Sequence, residues 1–321
     1  MAAALDNPIF ADADKAREHL EAQRWPNGAT CPHCGNADPE KIKALKGKAH
    51  RPGLYQCAEC REQFTVTVGT VFERSKIPLN KWLLAVHLMT SSKKGISAHQ
   101  IHRMLGVTYK TAWFMCHRIR EAMRDDVGGP MGGEGQIVEA DETYFGKTEY
   151  QPTLNTRGEP FIKKGKGGPS GKRAVVALVE RGGRVRSFHV DRANAESVRE
   201  IVVTNISRES RLHTDESRLY TKTGTEFARH ETVHHSAKEY ARGDVHTNTI
   251  EGVFSIFKRG MKGIYQHCAE KHLHRYLAEF EFRYNTRIAL GCNDLERAGI
   301  LAAATRGKRL TYRRINETAY A

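Results

Sequence analysis

The chain has 321 residues, more than one domain usually holds, with apolar content ample for a buried core. Lysine and arginine number 51 against 37 acidic residues, a formal charge of +14, and such an excess points to a polyanionic partner, most often nucleic acid. Apolar runs such as Trp82 to Met89 and Ala174 to Val179 are too short to span a bilayer, and Asp6 follows the first residues where a secretory leader would stay apolar, so a cytoplasmic protein with no membrane partner is expected.

Seven cysteines, an odd number, suit metal ligation or burial better than disulfides in such a chain. The first segment, residues 1–26, reads as a short helix that starts near Asp12 and stops at Trp25-Pro-Asn-Gly28. Residues 27–70 follow with Cys31-Pro-His-Cys34 and Cys57-Ala-Glu-Cys60. Each pair is tight enough for both thiolates to reach one ion, so Cys31, Cys34, Cys57 and Cys60 predict a zinc ribbon with one structural Zn²⁺. His33 lies inside the first knuckle, but four sulfurs already complete a tetrahedral site.

From residue 71 to 130 the periodicity is helical. One apolar helix carries Trp82, Leu83, Val86 and Met89, a second runs from Ile96 to Leu105, and a third from Tyr109 to Met123 after a Gly106 turn and a Thr108 cap. This is the pattern of a helix-turn-helix, in which Thr108, Tyr109, Lys110 and Thr111 would meet base edges while Arg118 and Arg120 approach phosphates. A plain three-helix bundle with Trp113 and Ile119 in its core fits the same pattern.

A Gly-rich acidic linker, Asp125 to Gly135, leads into segments of strand character: Ile137 to Gly146, Arg173 to Val179 and Arg184 to Val190, the last two joined as a hairpin at Arg181-Gly-Gly183. A helix over Asn194 to Asn205 and a fourth strand, Ser210 to Thr214, follow. The loop from Thr156 to Lys172 carries Lys163, Lys164 and Lys166, and is either a solvated insertion or a clamp on a nucleic-acid backbone. His234 and His235 alternate across an expected strand, and no role is assigned to them.

On the helix expected over Asp244 to Arg259, Asn248, Glu251, Ser255 and Lys258 recur at steps of three and four and share one face, while Ile250, Val253, Phe254 and Phe257 share another. Asp141 and Asp215 sit in or just after strands, and Glu251 lies on the helix that follows. A ribonuclease H-like sheet brings two such strand carboxylates and a helical acid to one edge, where hard oxygen ligands call for Mg²⁺ (or Mn²⁺). Two ions about 3.5–4 Å apart would activate an oxygen nucleophile and neutralise a leaving oxygen in phosphoryl transfer.

Several stretches carry a resemblance: V-E-A-D-E-T-Y-F-G, L-H-T-D-E-S, H-T-N-T-I-E-G-x-x-S-x-x-K-R-G and R-W-P-N-G-x-x-C-P-H-C. Together they resemble the zinc-ribbon insertion-sequence transposases of the DDE superfamily, over nearly the whole chain. The resemblance implies a multidomain protein: zinc ribbon, helix-turn-helix, an α/β ribonuclease H-like catalytic domain with a mixed sheet over residues 131–290, and a basic tail over 291–321. It implies Asp141 and Asp215 as the first two catalytic acids and Asn248 or Glu251 as the third; Glu251 is the favoured metal ligand, because an anion binds Mg²⁺ better than an amide, and Asn248 is the fallback. Lys258 and its neighbour Arg259 become DNA contacts. The implied partners are double-stranded DNA, both terminal inverted repeats and target, and further copies of the chain on that DNA, in a nucleoid-associated location. A catalytically inert DNA-binding regulator and a nuclease or resolvase that cuts without joining are the competing functions.

Overall fold

The computed structural model describes residues 4–125, 128–148, 153–154, 156–161 and 171–311. The chain forms two compact units, one from residues 1–124 and 291–321 and one from residues 125–290. Among the described residues no helix is long and apolar enough to cross a membrane.

The first unit opens with α1 (Ala13–Arg24), whose N-terminal amides at Asp14 and Lys15 donate to the Asp12 carboxylate at 2.7 and 3.1 Å. Three short antiparallel strands follow, β1 (Ile42–Ala44), β2 (Tyr55–Cys57) and β3 (Gln63–Phe64). They hold the four cysteines as one cluster, with Sγ atoms 3.6 Å apart for Cys31 and Cys60 and 3.7 Å for Cys34 and Cys57. All four ligand atoms lie within 4.8 Å of one another, the spacing of a tetrahedral zinc site. Backbone amides, first that of Cys60, pull the Cys57 thiol down to about 7, toward the thiolate that zinc requires. Trp25, at the end of α1, meets Tyr55 and Phe64 edge-on at 5.4 and 5.7 Å and fastens the ribbon to the helix.

Three helices come next: α2 (Leu79–Ser91), α3 (Ala98–Leu105) and α4 (Tyr109–Met123). Ser97 and Gln100 form a capping box on α3, and Gly106, at φ 60°, closes that helix in the left-handed region. The Thr108 hydroxyl then accepts from the Thr111 amide to start α4. The exposed start of α4 carries Thr108, Tyr109 and Lys110, and Tyr109 stacks on His99 at 4.1 Å.

Arg118 and Arg120, expected near phosphates, are instead only 6% and 2% exposed. Every residue from 115 to 120 is buried, so this half of α4 has no solvent face. The Arg118 guanidinium lies over the Trp82 ring at 5.3 Å and donates to the Glu73 carbonyl at 2.7 Å. Its stem packs and its head is spent on the protein itself.

The second unit is built on β4 (Ile137–Phe145). Two small strands, β5 (Thr153–Leu154) and β6 (Pro160–Phe161), form a separate pair; Lys163, Lys164 and Lys166 fall outside the described residues. The sheet continues with β7 (Arg173–Glu180) and β8 (Val185–Val190), crosses over through α5 (Ala195–Asn205) to β9 (Arg211–Thr214), and passes α6 (Thr221–Gly224) to β10 (Arg229–Thr232). The spatial order is β10-β9-β4-β7-β8, antiparallel from β4 through β8 and parallel from β4 through β10. This is a mixed, ribonuclease H-like sheet. A short hairpin of β11 (Ala241–Arg242) and β12 (Val245–His246) leads into α7 (Asn248–Gly260), and α8 (Leu273–Asn285) completes the unit.

Period-two alternation along β7 explains how both faces are covered. Val176 and Leu178 join Val138, Ala140 and Leu212 against Val198 and Val202 of α5. Val175, Ala177 and Val179 face the other way, toward Ile250, Val253 and Phe257 of α7 and Leu277 and Phe280 of α8. Residues 291–311 then return to the first unit. There α9 (Asp294–Ala303) packs on α2, with the Arg297 guanidinium donating to the Thr90 carbonyl at 3.0 Å, so part of the segment expected as a basic tail is a packed helix.

Stripping zinc from the full chain with a chelator, or replacing Cys57→Ser, is expected to remove one equivalent of zinc and shift Trp25 fluorescence to the red. The α/β unit should keep its cooperative unfolding transition, because a structural zinc contributes folding energy, about 10–16 kcal/mol in isolated fingers, to the domain that binds it. Metal analysis alongside fluorescence and calorimetry checks this.

Candidate active site

Strand register brings the first two acids together. In the parallel pair β4 and β9, Ile137 lies opposite Arg211, Val138 opposite Leu212 and Glu139 opposite His213. Two residues beyond the last of these pairs come Asp141 and, just past the end of β9, Asp215, and the two line one cleft. Even spacing along β4 puts Glu139 and Asp141 on the face covered by α7, opposite Val138 and Ala140. Asp215 is fixed in turn by the Ser217 amide, which donates to its Oδ1 at 3.0 Å.

The third element is α7, which lays Glu251, Phe254, Ser255, Lys258 and Arg259 along the same cleft of about 860 Å³ that Asp141 and Asp215 line. The helix runs on into a single π turn, Met261–Tyr265, and this turn adds Lys262 and Gly263 to the wall. One end of the cleft is therefore acidic and the other basic. Asn248, the alternative third catalytic residue, begins α7, is exposed, and is not among the residues lining the cleft.

Glu142, Thr143 and His235 also border this space. Glu142 turns toward the α5 side, where the buried Tyr220 hydroxyl donates to its Oε2 at 3.0 Å, yet it still reaches the cleft wall. His235 is not on a strand as expected: β10 ends at Thr232, and His235 begins a 3-10 turn, His235–Ala237. Its Nε2 lies 3.7 Å from Glu251 Oε1, while the Thr247 hydroxyl donates to the same oxygen at 3.3 Å. His234 points elsewhere, its Nδ1 3.4 Å from Glu216. His235 belongs to no local sequence pattern and is brought in by the turn after β10, whereas Lys262 continues the three-and-four spacing of Glu251, Ser255 and Lys258 into the π turn, beyond the point at which the expected helix stops.

Comparison with known proteins decides the family. Residues 132–285 match the ISXO2-like transposase domain and residues 11–63 match the transposase zinc-ribbon domain. An uncharacterized protein in transposable element ISH50 of Halobacterium salinarum is 30% identical over 289 residues, 85% of this chain and 91% of that one. The chain belongs to the ISXO2-like transposase family. Among solved structures, the simian T-cell lymphotropic virus intasome with a PP2A regulatory subunit matches at 15% identity and TM-score 0.29, over 56% of this chain and 63% of that chain. A pre-cleavage Mos1 transpososome matches at 10% identity and TM-score 0.23, over 65% and 75%.

The electrostatics of the transposase cleft fit a divalent cation. Burial first, then the charges of Asp215, Glu142 and Glu251, raise the Asp141 carboxyl from its ordinary 3.8 to about 8. Glu142 is raised as well, mainly by burial. Among the described residues only the cysteine cluster gathers three or more ligand atoms within 4.8 Å of each other, so the acidic group is looser than the zinc site. Its suitability rests on hard oxygen donors and on the crowded charge they share.

Because the folded carboxyl of Asp141 holds its proton more tightly than the unfolded one, the metal-free transposase should lose stability as pH rises from about 4 toward 8. A cation competes with that proton, so Mg²⁺ should stabilise the protein progressively more between about pH 5 and pH 8. Thermal unfolding with and without Mg²⁺ across this range measures both trends, and Asp141→Asn should flatten them.

Proposed function

We propose that this transposase cuts DNA at the terminal inverted repeats of an insertion element and joins the freed 3′ ends to target DNA. The observation that carries the reading is the cleft in which acids from two strands and one helix face Lys258 and Arg259. When bound there, Mg²⁺ would lower the pKa of an attacking oxygen and neutralise the leaving one. Asp141, Asp215 and Glu251 are the residues that would hold it. Glu251 is favoured over Asn248 because it lines the cleft and its charge raises the Asp141 carboxyl.

Lys258, two helical turns from Glu251, is suited to a DNA phosphate, with Arg259 extending the same basic wall. End recognition is assigned to the ribbon and to the exposed start of α4, where Thr108, Tyr109, Lys110 and Thr111 would approach base edges. Arg118 and Arg120 are left out of that set by their burial. Cutting two ends together calls for at least two copies of the chain on the DNA, in the cytoplasm where that DNA lies.

An assay with labelled end DNA, target plasmid and Mg²⁺ separates this function from its rivals. Wild type should yield both nicked ends and joined products, whereas a nuclease would give only the first and an inert regulator neither. Asp141→Asn, Asp215→Asn and Glu251→Gln should each lose more than about 100-fold of both activities, above the usual cost of changing a residue that merely supports a ligand. Asn248→Ala should lose far less. Retention of activity by Asp141→Asn or Asp215→Asn would overturn the assignment.

A further inference from the structure

Glu139 precedes Asp141 by two residues on β4, is fully buried, and takes no part in the chemistry described above. A buried carboxylate is costly unless its oxygens are satisfied, and here they are. The Arg181 guanidinium donates to Oε1 through its Nη2 at 2.7 Å and its Nε at 3.2 Å, and the Thr249 hydroxyl donates to the same oxygen at 2.7 Å. The Ile250 backbone amide donates to Oε2 at 3.0 Å.

The last two donors belong to the first turn of α7. Thr247 occupies the N-cap position of that helix but makes no side-chain cap bond, its hydroxyl going to Glu251 instead. Glu139 therefore supplies from a neighbouring strand the cap that the local sequence does not. The positive end of the helix sits on a fixed negative charge. Arg181 extends the anchor backwards by donating to the carbonyls of Asp244 at 2.7 Å and His246 at 3.2 Å, the segment that feeds into α7.

From this we propose that Glu139 is a positioning residue: by gripping the N-terminus of α7 it sets the distance between Asp141, two residues along its own strand, and Glu251, the residue after Ile250. The inference rests on the metal-binding reading of Asp141, Asp215 and Glu251. A brace that served only the fold would lower stability and leave metal affinity alone. A positioning anchor changes both, because each oxygen donor for the ion stands on one side of the bond network it controls.

Substitution by glutamine is selective. With its oxygen kept toward Arg181 and Thr249, the amide nitrogen of Glu139→Gln would face the Ile250 amide, donor against donor, and the helix cap would be lost. The test is Mn²⁺ titration of the zinc-loaded full chain without DNA, read by electron paramagnetic resonance, with hydrogen exchange at Ile250 and Glu251. Glu139→Gln should weaken Mn²⁺ binding by about 10–100-fold and speed exchange in the first turn of α7. Thr249→Val, which leaves the Ile250 bond and the Arg181 pair in place, should weaken it less. The double variant Glu139→Gln, Arg181→Gln, which strands no buried charge, should bind as poorly as the single one and covers the case in which that one does not fold.

Wild-type Mn²⁺ affinity in both glutamine variants, with affinity lost in Asp141→Asn, would overturn the inference and leave the metal reading standing. Undiminished binding in Asp141→Asn would bring down the metal reading and this inference with it.

Discussion

Crowded negative charge at one edge of a sheet is the constraint around which the α/β unit is organised. Asp141, Glu142, Asp215 and Glu251 all border one cleft, and Asp141 and Glu142 are half withdrawn from water. Two like charges about 4 Å apart near a protein surface repel by about 4 kcal/mol, a large part of the roughly 5–15 kcal/mol that holds a domain folded. A fold tolerates such a cluster only if something offsets it. Protonation is one route, visible in the raised Asp141 carboxyl, and a divalent cation is the other. The site's appetite for cations and its cost to stability are the same quantity seen from two sides.

The scaffold withstands this because the acids are not left to position themselves. β7 is buried on both faces from Arg173 to Val179, and β4 lies antiparallel to it in register over eight residue pairs. Asp141 is thereby fixed on a strand that cannot slide without turning Val138 and Ala140 out of the opposite core. The parallel register with β9 then determines where Asp215 emerges. The helix is seated by Phe257, which meets Phe145 of β4 and Phe280 of α8 edge-on at 5.6 and 5.4 Å. Apolar packing sets the height of α7 over the sheet, and the buried Glu139 sets its position along the strand.

Much of this was legible in the sequence wherever periodicity and burial coincide. Strands β4, β7, β8 and β9, helix α7 with its two faces, and the four-cysteine ribbon all follow from alternation, helical spacing or ligand pairs. β10 was not legible, because Arg229-His-Glu-Thr has no apolar face; it is held at the sheet edge by parallel pairing and by ion pairs such as Arg211 with Glu231 at 2.7 Å. Arg118 and Arg120 look like surface residues in the sequence because charge is usually a sign of exposure, whereas tertiary packing spends Arg118 on an indole face and a carbonyl. His235 reaches the cleft only through a 3-10 turn, which has no composition of its own, and Lys262 extends the polar stripe of α7 through a π turn past the expected end of that helix. Glu139 stood inside a strand pattern, and nothing local to it announces that its partner lies more than a hundred residues away.

The order of charges along α7 shows how site and helix agree. An α-helix carries partial positive charge at its N-terminus and partial negative charge at its C-terminus. Glu251 lies in the first turn of α7, and Lys258 and Arg259 lie in the last, so each residue sits where the helix itself stabilises its charge. Reversing the arrangement, with the cation at the start and the acid at the end, would set both against the helix dipole and would also put the lysine against Asp141 and Asp215. The direction in which the chain enters α7, anchored at Glu139, thus decides which end of the cleft is acidic and which is basic. A single polarity, that of the peptide units in one thirteen-residue helix, runs through local stability and through the division of the cleft alike.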